Sequence, residues 1–112
     1  WRRWCSFPHY FFDDPQMPQA KERFHRISFP LVATTSVDDP WAPPRSRDAF
    51  LVGHPSQYVR AIDLQPSDIG LSSIGHMGYF RAQAQPIWEQ TSQWFEEILK
   101  ASPKATAAEV SD

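Results

Sequence analysis

The most constraining feature of the chain is a β-type run that ends in a proline-stiffened turn. Ile27-Ser28-Phe29-Pro30-Leu31-Val32-Ala33-Thr34-Thr35-Ser36 is β-branched and uncharged, and its later half is nearly continuous in small or apolar residues. A strand of that texture suits a sheet covered on both faces, as parallel sheets are. Pro30 belongs at its start, where a missing N–H costs least. Asp38-Asp39-Pro40-Trp41-Ala42-Pro43-Pro44 follows, and its prolines forbid any regular continuation. Pro44 fits the first position of a helix that we expect to run to Val52, with Ala49, Phe50 and Val52 buried and Arg45, Arg47 and Asp48 outside. Gly53 is placed to stop it. Tyr58–Leu64 alternates apolar and polar residues and predicts a second strand. Strand, helix and strand with short links define a right-handed βαβ unit in a parallel sheet.

The length, 112 residues, leaves room for one domain with one modest core. A net charge of −2 gives no electrostatic footprint for nucleic acid. No apolar run approaches the ~18 residues of a membrane span. A single cysteine, Cys5, excludes an internal disulfide framework and a cysteine-cluster zinc site. The chain starts at Trp1 without a charged and apolar leader, so we expect a cytoplasmic protein, and we read the start as a truncation.

Residues 1–15 are aromatic and turn-rich and fit neither helical nor strand period. Trp1, Trp4 and Cys5 fit one side of a short helix ended near Pro8. So much apolar surface needs a cover, which makes this segment a cap over a pocket or a contact with further structure. Residues 16–26 have weak helical character. Residues 65–78 are expected to form a long loop that holds three of the four glycines; loops of this length inside compact domains are usually functional or disordered. Ile87, Trp88, Thr91, Trp94, Phe95, Ile98 and Leu99 recur at spacings of three and four, an apolar stripe on a helix from about residue 86. Residues 101–112 have no apolar period and predict a disordered tail.

The candidate chemistry lies in two loops. Asp39 sits just beyond the carboxyl end of the first strand, where catalytic groups of open parallel sheets gather. A carboxylate held there can orient a histidine ring and steady its imidazolium. The competing reading makes Asp39 an Asx-turn or helix-capping acid, and Asp38 is its rival for the catalytic role. His76 lies between Gly75 and Gly78, in a backbone free to present the ring to a site. Its role would be general base and then general acid; the competing reading is a capping or solvated loop histidine. Acid before histidine is the order of the last two members of the triad in α/β hydrolases. No Gly-x-Ser-x-Gly precedes them. Gly70-Leu71-Ser72-Ser73-Ile74-Gly75 is one residue off that pattern and falls on the wrong side of the acid, so we read it as loop composition. His9, His25 and His54, with Asp13, Asp14 or Asp63, match no zinc spacing. Cys5 has no activating context.

The stretch Ser36-Val37-Asp38-Asp39-Pro40-Trp41-Ala42-Pro43-Pro44, with Ile74-Gly75-His76-Met77-Gly78-Tyr79-Phe80-Arg81 and the Ile87-Trp88…Trp94-Phe95 helix, resembles a group of bacterial α/β hydrolases. That group is related to the serine aminopeptidase and monoglyceride lipase branch. Trp1-Arg2-Arg3-Trp4-Cys5 and Pro8-His9-Tyr10 resemble its cap segment, so the likeness spans about residues 1–100. It implies an α/β fold made of the C-terminal βαβα portion of a hydrolase sheet. Residues 1–26 would derive from the cap, 27–100 from the core, and 101–112 would be tail. It makes Asp39 the triad acid and His76 the base, acting on a small ester or amide, with no cofactor or metal. The serine elbow and oxyanion-hole donors would lie upstream, so the chain alone would be inactive. The alternative is a non-enzymatic interaction module using the aromatic N-terminal surface. Two parallel strands cannot cover both faces or both edges of a sheet, so self-association through an exposed edge is expected.

Overall fold

A computed structural model describes residues 1–101. The expected tail lies outside the described residues except for Ala101, which ends a helix. Two short 3-10 turns, Trp4–Ser6 and Tyr10–Asp13, open the chain. Helix α1 (Ala20–His25), strand β1 (Leu31–Ser36), helix α2 (Pro44–Leu51), strand β2 (Val59–Leu64) and helix α3 (Gln85–Ala101) follow. The architecture is mixed α/β around a two-stranded parallel sheet, paired in register from Leu31 opposite Val59 to Ser36 opposite Leu64.

Several boundaries differ from the sequence expectation for local reasons. β1 starts at Leu31 rather than Ile27, because the Ile27 amide donates back to the Phe24 carbonyl and extends the turn after α1. Pro30, without an N–H, stands immediately before the strand. Tyr58 closes a 3-10 turn, Ser56–Tyr58, and β2 starts after it. The N-terminal aromatic run forms two separate 3-10 turns instead of one short helix. The expected long loop is ordered, with a further turn at Pro66–Ile69 capped by Gly70 in the left-handed region at φ 73°.

Alternation along the strands assigns the two faces of the sheet. Thr35 and Asp63 face α2, while Val32, Thr34, Ile62 and Leu64 face α3. On the α3 side Leu64, Ile74, Ala84 and Ile87 form the buried core, flanked by Ile62, Ile69, Leu71 and Tyr79. Only the first turns of α3 reach this core. Phe95 is 55% and Leu99 74% exposed, so most of the predicted apolar stripe is uncovered.

On the other face, α2 departs from the expected inside–outside pattern. Arg47 turns inward, its side chain 10% exposed, while Val52 is exposed. The guanidinium binds the Asp63 carboxylate at 2.7 Å and donates to the Ile62 carbonyl at 2.9 Å, so it joins α2 to β2. Phe50 meets Phe11, Phe12 and Phe24 in an aromatic cluster that also encloses His54. The N-terminal segment therefore packs on α2, held by Tyr10 Oη donating to the Ser46 carbonyl, and is braced internally by a two-pronged Arg3–Asp14 ion pair. Gly53 is required by this packing rather than by helix termination. Its Cα hydrogen faces the Phe12 ring, and a Cβ there would lie 2.1 Å from Cζ.

Candidate functional site

The ladder of β1 continues one residue beyond the strand, where the Val37 amide donates to the Leu64 carbonyl. The chain then turns, and the Asp39 amide bonds to the Ser36 carbonyl. Asp39 is buried, at 5% exposure. Its Oδ1 accepts the Trp41 and Ala42 amides, both at 2.9 Å, so the carboxylate closes an Asx-type turn across Pro40. The same carboxylate faces His76, with Nδ1 at 3.0 Å from Oδ2 and 3.2 Å from Oδ1. The two sequence readings of Asp39, turn acid and partner of a histidine, thus coexist in one side chain.

A carboxylate only accepts, so this contact places the proton on Nδ1 of a neutral His76 ring and leaves Nε2 as the acceptor. No hydrogen bond reaches Nε2 among the described residues, and the His76 side chain is 39% exposed. The Trp41 ring leans against the imidazole, with centroids 5.0 Å apart. Trp41 comes from the proline turn itself, a contact no short-range pattern could have revealed.

Asp38 makes a different set of bonds. Its Oδ1 accepts the Gly75 amide at 2.9 Å, its Oδ2 accepts the Ile74 amide at 3.0 Å, and the Ser36 hydroxyl donates to Oδ1. Gly75 adopts φ 61°, in the left-handed region that admits glycine freely. On its other side the loop is pinned by the Ile74 side chain, 3% exposed in the core. Tyr79 completes the frame. Its hydroxyl accepts the Ser36 amide at 2.6 Å, and its carbonyl accepts the Trp88 indole N–H at 2.6 Å.

The electrostatics follow from these bonds. Burial works to raise the Asp39 carboxyl, but the Ala42 amide, the His76 ring and the Trp41 amide outweigh it and hold it below the usual carboxylate range. Asp38 is lowered by the Ser36 hydroxyl first and then by the Gly75 and Ile74 amides, against burial. Burial raises the Tyr79 phenol, with both aspartates adding to the effect. Both acids are therefore anions at neutral pH, and Tyr79 stays protonated.

The remaining candidates stand apart. Ser72 and Ser73 are exposed, and no serine hydroxyl bonds to His76 among the described residues. His9 pairs locally with Asp13, Nδ1 to Oδ2 at 3.1 Å. His54 is enclosed by Phe12, Phe24 and Phe50, with Nδ1 buried and unbonded. Cys5 is a free, exposed thiol. Among the described residues no three His, Cys, Asp or Glu side chains converge as metal ligands. No helix among them is long and apolar enough to cross a membrane. Beside the Asp39 turn lies an apolar cleft of about 320 Å³, lined by Trp4, Tyr10, Phe11, Ala42 and Phe50 and floored by Thr35. The one cation on its wall, Arg47, is already engaged by Asp48 and Asp63.

A buried carboxylate, a histidine oriented by it and an open second ring nitrogen form a unit able to take a proton from a hydroxyl and pass it on. No family model matches this chain, and no curated protein or solved structure matches it. What stands is a mixed α/β unit with an Asp–His pair beyond the carboxyl ends of its two parallel strands.

Proposed function

We propose that this chain is the C-terminal part of a serine hydrolase, contributing Asp39 as the triad acid and His76 as the base for cleavage of a small ester or amide. The observation that carries the reading is the 3.0 Å contact of His76 Nδ1 with the buried Asp39 carboxylate, with Nε2 left open. The acid holds the ring in the tautomer that leaves Nε2 free to accept a hydroxyl proton, and it steadies the imidazolium that results. The nucleophile and the oxyanion-hole donors lie outside these 112 residues. The apolar cleft next to the Asp39 turn offers no free charge and suits an uncharged substrate group.

The chain alone is expected to hydrolyse p-nitrophenyl butyrate no faster than buffer. Turnover well above buffer that disappears in His76→Ala would contradict the absence of a nucleophile. A longer form that carries an upstream Gly-x-Ser-x-Gly should turn over the ester and lose that activity in Asp39→Asn and in His76→Ala. Unchanged turnover in either variant would end the triad reading.

An interaction module is the second reading, and one observation favours it. Phe80 is 76%, Phe95 55% and Leu99 74% exposed, apolar side chains along α3 and in a turn that precedes it. The N-terminal rings contribute less, since Phe11, Phe12 and Phe24 pack on one another and only Trp1, at 85% exposure, projects far. A partner whose binding is lost in Phe80→Ser and Leu99→Ser, with Asp39→Asn silent, would favour this reading over the hydrolase.

A further inference from the structure

The pair of acids at the end of β1 divides its labour, and only one of them touches the histidine. We propose that Asp38 is the positioning residue of the site: by binding the Ile74 and Gly75 amides it fixes the loop that carries His76, and so sets the ring against Asp39. The inference rests on the reading of Asp39 and His76 as acid and base.

Three observations carry it. First, two successive amides, Ile74 and Gly75, converge on one carboxylate, an arrangement by which backbone binds anions. Charge-assisted bonds of this kind are about twice as strong as neutral ones. Second, those amides belong to the two residues immediately before His76, with Gly75 in the left-handed region, so the position of the ring is set within one residue of the clamp. Third, the clamp is itself referenced to the strand that positions Asp39. The Ser36 hydroxyl donates to Asp38, and the Ser36 carbonyl takes the Asp39 amide. Asp38 and Asp39 therefore share one anchor, Ser36, which is fully buried. The loop that carries the base and the turn that carries the acid are held in one frame across a sequence separation of 37 residues. The Ile74 side chain alone would fix the depth of the loop but not its rotation about the core contact. The two amide bonds remove that freedom.

The test uses the whole chain, with amide hydrogen exchange and ring ¹⁵N NMR of the four histidines. In Asp38→Ala the Ile74 and Gly75 amides should exchange about tenfold faster or more, while the Val37 amide, bonded to Leu64, stays protected. His76 should then move from a single Nδ1–H tautomer to the mixture of an unrestrained ring, with His9, His25 and His54 unchanged. Asp38→Asn keeps the volume and one acceptor oxygen; it should show an intermediate effect on the same signals, and it serves if the alanine variant does not fold. Faster exchange at 74 and 75 with the His76 tautomer unchanged would overturn the positioning role and leave Asp38 as a loop brace. Asp39→Asn separates the two levels. If it leaves the His76 tautomer unchanged, the acid–base reading itself fails. If it shifts the tautomer while Asp38→Ala does not, only the positioning role fails.

Discussion

Gly53→Ala probes whether the aromatic segment is truly packed on the βαβ unit. A Cβ at residue 53 would lie 2.1 Å from Phe12 Cζ, 2.4 Å from Cε1 and 2.5 Å from Cε2. Ordinary van der Waals contact begins near 3.4 Å, so the Phe12 ring must retreat by more than an ångström. It has little room to do so. Its centroid lies 4.7 Å from Phe11, 5.2 Å from Phe24 and 5.7 Å from Phe50, and each of these rings touches another. Overpacking of this kind costs about 1–3 kcal/mol, equivalent to a fall in Tm on the order of 5–20 °C for a domain this small. Urea denaturation followed by circular dichroism, run as a double-mutant cycle with Phe12→Ala, gives the decisive number. Once the ring is gone the clash is gone, and the added methyl should be neutral or stabilise by up to about 1 kcal/mol through the unfolded chain. Gly70→Ala is the control. Its Cβ meets nothing, but φ 73° is strained for alanine, and its cost should be the same with or without Phe12. A Gly53→Ala penalty that persists unchanged in the Phe12→Ala background would refute the packing of residues 10–13 against the end of α2.

Three further outcomes follow from named contacts. Tyr79→Phe leaves the buried Ser36 amide without its acceptor, and should cost about 1–3 kcal/mol in thermal unfolding; a loss below a few tenths would show the bond to be unimportant. The Arg3 guanidinium holds the Asp14 carboxyl at about 2, below its ordinary 3.8. A depressed carboxyl stabilises the fold above its unfolded value and loses that effect as pH falls through the folded one, so urea midpoints should drop between about pH 4 and 2. Arg3→Met should flatten that part of the curve, leaving the share due to Asp38 and Asp39, which are also lowered. Each strand of the two-stranded sheet has one edge without a strand partner among the described residues, and sedimentation velocity should show concentration-dependent self-association; a monomer across the whole range would count against an exposed pairing edge.

Much of the scaffold was legible because it rests on local rules. The strand–helix–strand order follows from β-branched texture, from Pro44 at a helix start and from alternation in residues 58–64. Positions after successive strands single out the 38–39 acids and His76, the resemblance alone prefers Asp39 over Asp38, and the structure places Asp39 3.0 Å from the His76 ring. What could not be read were contacts that depend on the third dimension. Charge alone predicts Arg47 in solvent, yet Asp63 faces it from the next strand and makes its burial favourable. The period of α3 shows which side of the helix is apolar, not how much of that side is covered, and Phe95 and Leu99 are exposed.

The adjacent acids divide two tasks that the sequence could not assign between them. Val37 and Asp38 form a turn closed by the Asp39 amide on the Ser36 carbonyl, so the alternation of an extended strand does not reach the two acids and could not say which of them meets the histidine. Asp39 faces the ring and the proline turn, and Asp38 faces the backbone that delivers the ring. That division accounts for why Gly75, Ile74 and Ser36, none of them acid or base, are all hydrogen-bonded to Asp38 beside the Asp–His pair.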